Sequence, residues 1–103
     1  MTKHILKLND RYFDAVANGT KAFEIRKDDR GYRVGDTLVL YRVGVDGKYM
    51  TDTILYGKRL TEDIPTSKVD HIEVTIKYIL THDDFPDGIP EGYVVMSIER
   101  VNE

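Results

Sequence analysis

A chain of 103 residues, 41% apolar and 32% charged, has material for a single domain (residues 1–103) with a small core. No stretch approaches the roughly 20 apolar residues that cross a bilayer, no secretory leader is recognisable, and the absence of cysteine excludes disulfides and thiolate chemistry, so a cytoplasmic location is expected. A net charge of −3 excludes a protein that coats nucleic acid through bulk positive potential, yet residues 19–33 hold five basic side chains against three acidic ones, which allows a local anion site.

His4 to Leu8 alternates and reads as a first strand. Asn9 or Asp10 can then cap a short helix, because their side-chain oxygens accept the free N–H groups of a first turn. Tyr12, Phe13, Val16 and Ala17 fall at spacings of three and four and form one apolar stripe. Gly19 suits the left-handed position that ends such a helix. From Ala22 to Arg26 the period drops to two, with Phe23 and Ile25 expected to face the core and Glu24 and Arg26 to face away. Lys27 to Gly31 is a polar loop, and Val34-Gly35-Asp36 is a turn into the apolar strand Thr37 to Tyr41.

Asp46-Gly47 signals a hairpin between a strand ending near Val45 and one running from Lys48 to about Tyr56. Leu60 to Lys68 reads as a loop. Ile72, Val74, Ile76, Tyr78 and Leu80 alternate along a long half-buried strand. His82 to Glu91, with two prolines, a glycine and four acids, is a loop, and Gly92 to Val101 is a last strand with Val94, Met96 and Ile98 inward. The expected fold is mainly β (α+β class), with about six strands and one or two short helices. So many strands on so short a chain hide their edges best by curling into a small closed or nearly closed barrel.

The segment Gly19-Thr20-Lys21-Ala22-Phe23-Glu24-Ile25-Arg26 matches the G-x-K-x-x-E-x-R signature of the ASCH domains, within the PUA-like superfamily. Asn9 to Asp36 as a whole resembles the bacterial and phage subfamily DUF3850, in which a helix, an E-x-R-K strand, an acidic-Arg loop and an aromatic-x-V-G-D turn follow in order. Here these are Glu24-Ile25-Arg26-Lys27, Asp28-Asp29-Arg30 and Tyr32-Arg33-Val34-Gly35-Asp36, and Glu91 to Ile98 resembles the closing strand. The resemblance implies a PUA-like barrel that binds RNA or a nucleotide-sized ligand beside the motif.

Lys21 would reach into such a cleft from the junction, and Arg26 offers a planar fork for phosphate or a base edge. Glu24 can accept from an exocyclic amine. Lys27, Arg30 and Tyr32 complete the expected nucleic-acid-binding set, Tyr32 as a stacking ring. On a purely structural reading, Glu24 and Arg26 form an ion pair closing the barrel end, Lys27 is solvated loop, and Tyr32 is packing.

Some ASCH-like proteins hydrolyse the amide of an acetylated cytidine with the motif lysine, a threonine three residues later and a distant glutamate. Lys21 is present here, but Glu24 stands in the threonine position, so as an enzyme the chain would depend on Lys21 and Glu24 alone. A ribonuclease or a protein-interaction module would also be compatible with a domain of this kind. His82-Asp83-Asp84 lacks a recognisable metal spacing, and neither metal nor cofactor is expected.

Overall fold

The structure is a computed structural model that describes residues 1–50, 54–55, 58–59 and 69–101. The elements run β1 (Lys3–Asn9), α1 (Asp10–Ala17), β2 (Phe23–Lys27), β3 (Thr37–Val43), β4 (Ile54–Leu55), β5 (Lys58–Arg59), β6 (His71–Thr81) and β7 (Tyr93–Arg100). Among the described residues the fold is mainly β with one short helix. No helix there is long and apolar enough to cross a membrane.

Five strands form one curled sheet in the order β1-β3-β6-β7-β2, and β4 and β5 pair separately. The expected closed or nearly closed barrel of about six strands is, among the described residues, a curled five-stranded sheet forming a half-barrel: β1 and β2 are its two edges, and no ladder joins them. All pairings in the sheet are antiparallel except β1 with β3. That parallel pair is closed by α1 and β2 lying between its strands in sequence, and periodicity alone does not foretell it.

Asn9 caps α1 by accepting from Arg11 N–H at 2.9 Å, and Gly19 takes φ +84° just beyond the helix. Phe13 and Val16 enter the core with Leu6, Leu8, Leu38, Leu40, Ile72, Val74, Ile76, Val94, Met96 and Ile98. Arg42, 1% exposed, anchors the helix to β3: its guanidinium meets Asp10 at 2.6 Å, Asp70 at 2.9 Å and Asp14 at 3.5 Å, and lies 4.6 Å from the Phe13 ring centre.

Two strands face differently from expectation. Cross-strand partners share a face, and β2 pairs Glu24 with Met96 and Arg26 with Val94, both of which are buried. Glu24 and Arg26 therefore turn inward, while Phe23 and Ile25 turn outward and are 44% and 57% exposed. In β6 the register shifts between Ile76 and Tyr78. The extra residue flips the alternation, so Ile72, Val74 and Ile76 are core but Tyr78 and Leu80 are exposed.

The Asp46-Gly47 turn forms, with Gly44 N–H donating to Lys48 O, but β3 stops at Val43 and the returning arm makes one bridge, Val43 to Tyr49. The rest of that arm, except for β4, and the expected loop at 60–68 lie outside the described residues.

Candidate functional site

The gap between the edge strands, floored by the start of α1, is a cleft of about 540 Å³ lined by Lys7, Leu8, Asn9, Tyr12, Lys21, Phe23, Glu24, Ile25 and Arg26. That volume falls in the range of about 300–1,000 Å³ typical of small-molecule sites. Lys21, Glu24 and Arg26 of the motif converge on it.

Glu24 is the centre of the arrangement. It is 3% exposed, a burial that a carboxylate tolerates only with partners. Lys21 Nζ donates to its Oε1 at 2.9 Å, and Arg26 Nε donates to its Oε2 at 2.8 Å. The i, i+2 spacing of Glu24 and Arg26 on a strand puts both on one face. Lys21, just past the helix, reaches the same carboxylate from the other side.

The same cations brace the open seam. Arg26 Nη2 donates to Lys7 O at 2.9 Å, Arg30 Nη1 to Ile5 O at 3.1 Å, and Lys21 Nζ to Phe23 O at 2.8 Å. Side chains thus satisfy edge carbonyls that a closed barrel would satisfy by a ladder. Lys21 thus has a structural role beside its place in the cleft. Its ammonium also lies 4.6 Å from the Phe23 ring centre and 5.3 Å from that of Tyr12, within cation–π reach.

Outside the cleft the expected set divides. Lys27 is exposed on β2 and does not line the cleft. Arg30 acts through its bond to the β1 edge. Tyr32 is not a rim residue: it is 8% exposed and packs edge-on against His4, ring centres 4.9 Å apart. Burial pushes its phenol pKa up, against the pull of the nearby Arg26 and Arg30 charges. His4 in turn lies 2.9 Å through Nε2 from Asp36 Oδ2. Asp36 also accepts from the N–H groups of Thr2 and Arg33, and the His4 bond foremost holds its carboxyl below the usual range.

The sequence did not mark Lys7 or Asn9 on β1 as cleft residues, and it placed Tyr12 only on the apolar stripe of the helix. Tyr12 stands at the margin of the apolar stripe and is 41% exposed. The alternation of β1 marks Lys7 as outward, but only the edge position of β1 brings it to the cleft. His82, Asp83 and Asp84 do not converge: His82 Nδ1 lies 2.6 Å from Ile89 O, and Asp84 accepts from Thr81. No group of His, Asp or Glu suited to a metal occurs among the described residues.

A curated protein similar to this chain is an uncharacterised 12.9 kDa protein in the GpA 3′ region of Escherichia phage P2, 53% identical over 38 residues. That match takes in 37% of this chain and 35% of the phage protein, so about a third of the relative's length is spanned. The family model described as a domain of unknown function, DUF3850, matches residues 3–98. With nearly the whole chain matched, the protein belongs to the DUF3850 family.

Proposed function

We propose that the protein is a PUA-like module of the ASCH type that binds single-stranded RNA or a nucleotide-bearing ligand in the seam cleft. The observation that carries this reading is the composition of the cleft wall: three cations against one buried carboxylate, beside the exposed Phe23 and Tyr12 rings. A cationic lining attracts phosphate, and an exposed ring offers a stacking surface to an unpaired base. Duplex nucleic acid hides those base faces, so single strands fit better.

Glu24 is the organiser of this site rather than its reader, because each of its oxygens already accepts from a cation. Binding is preferred to nucleophilic hydrolysis because, among the described residues, no serine, threonine or cysteine lines the cleft.

The test is fluorescence anisotropy with a labelled single-stranded RNA ten-mer. The wild type is expected to bind in the micromolar range, and Lys21→Ala with Arg26→Ala to weaken binding by about tenfold or more. Circular dichroism establishes that the variant is folded. A folded double variant with undiminished affinity contradicts the reading.

A further inference from the structure

The edges of the seam carry main-chain groups as well as side chains, and their directions follow from the ladders. Thr37 N–H donates to Thr2 O, so even-numbered residues of β1 address β3 and odd-numbered ones, Ile5 and Lys7, address the seam. Ile98 N–H donates to Ala22 O and Asp28 N–H to Gly92 O, so even-numbered residues of β2 address β7 while Phe23 and Ile25 address the seam. The bonds from Arg30 to Ile5 O, Arg26 to Lys7 O and Lys21 to Phe23 O give the same direction independently.

In a strand the N–H and C=O of one residue lie on the same side. The N–H groups of Lys7 and Ile25 therefore point into the cleft that both residues line. No hydrogen bond among the described residues reaches either of them. The seam is thus unbalanced. Among the described residues three of its carbonyls, those of Ile5, Lys7 and Phe23, are taken by cationic donors, while the N–H groups of Lys7 and Ile25 and the Ile25 carbonyl are open. Lys21 and Arg26 add further N–H bonds beyond those given to Glu24 and the edge carbonyls, since an ammonium has three and a guanidinium five.

An added β-strand would need acceptors as often as donors along that edge, and here the acceptors are largely spent. A nucleobase edge mixes donors with acceptors in the same way. A phosphate oxygen only accepts, and it is drawn by the excess of cations. Resting on the nucleotide-binding reading above, we propose that the seam is an oxyanion site. The phosphate of a nucleotide is held there by the main-chain N–H groups of Lys7 and Ile25 together with Lys21 and Arg26, and its base lies outside over Phe23. Recognition is therefore dominated by the phosphate and nearly indifferent to the base.

The experiment is a titration of ¹⁵N-labelled protein with uridine 5′-monophosphate, uridine and inorganic phosphate, followed by amide chemical shifts. The nucleotide should move the Lys7 and Ile25 amide signals, and inorganic phosphate should move the same two more weakly. Uridine should bind at least about tenfold more weakly than its monophosphate, and the four ribonucleoside monophosphates should agree within about threefold. Uridine binding as tightly as the nucleotide, or nucleotide binding that leaves both amides unmoved, overturns the oxyanion site while nucleoside or nucleotide recognition stands. Binding of none of the four nucleotides overturns the oxyanion site, and failure of the single-stranded RNA ten-mer to bind as well overturns both.

Discussion

The buried charge of Glu24 is the residue on which the site turns. Glu24→Gln keeps the shape but leaves Lys21 and Arg26 facing a neutral amide. Because both cations are about one-fifth exposed and remain partly hydrated, the loss should be about 2 kcal/mol, below that for a fully dry pair. A lower urea midpoint at an unchanged slope checks this. Asp36 gives a pH-dependent counterpart. Its folded pKa is depressed, foremost by the His4 bond and also by the Thr2 and Arg33 N–H groups, against the opposing effect of burial. Its contribution is therefore present above the unfolded carboxylate value and is lost as pH falls through the lower folded one. Asp36→Asn should melt earlier than wild type at pH 7, and the two melting temperatures should converge as the pH falls below the usual carboxylate range and Asp36 is protonated in the folded protein. The motif residues that meet at the cleft were legible as a spacing: Glu24 and Arg26 share a face at i, i+2, and Lys21 precedes them across a glycine-marked turn. The destination of Tyr32 was not legible, because an aromatic after a polar loop fits a rim or a core equally until its neighbour His4 is known.

At the scale of elements, periodicity gives the alternation of β2 but not which side is inside. The pairing with β7 decides that, by matching Glu24 to Met96 and Arg26 to Val94. The bulge in β6 likewise turns Tyr78 and Leu80 outward after a stretch that reads as unbroken alternation. Nothing in the residue types from Ile72 to Leu80 announces the extra residue. These assignments are testable by stability. Ile25→Thr and Tyr78→Thr should each change stability by no more than about 0.5 kcal/mol, as exposed strand positions do. Ile76→Ala, at a fully buried position, should cost about 3 kcal/mol. A large loss at Ile25 would restore the opposite facing of β2, and one at Tyr78 would restore the unbroken alternation of β6. The helix was legible almost to the residue, since its cap, its apolar stripe and its terminal glycine all act within a few residues of one another.

For the whole molecule, the deciding feature is that the sheet curls without closing. A closed barrel would consume the main-chain groups of β1 and β2 in a ladder; the open seam leaves them bordering a cationic cleft, braced by Arg26, Arg30 and Lys21. The strand order and the parallel β1–β3 pair are long-range choices that local patterns do not encode, so the half-barrel stayed out of reach of the sequence while its strands did not. Among the described residues the cleft holds three cations, Lys7, Lys21 and Arg26. A single strand bound there releases at most that many counterions, and the slope of log affinity against log salt should be no steeper than about −2. The direct measurement is that slope for a single-stranded RNA ten-mer, in the wild type and in Lys7→Ala with Lys21→Ala. Nucleotide binding in the seam requires a slope between about −1 and −2 in the wild type, flattening markedly in the variant as affinity falls. An identical slope and affinity in both proteins would place the RNA elsewhere and contradict the account.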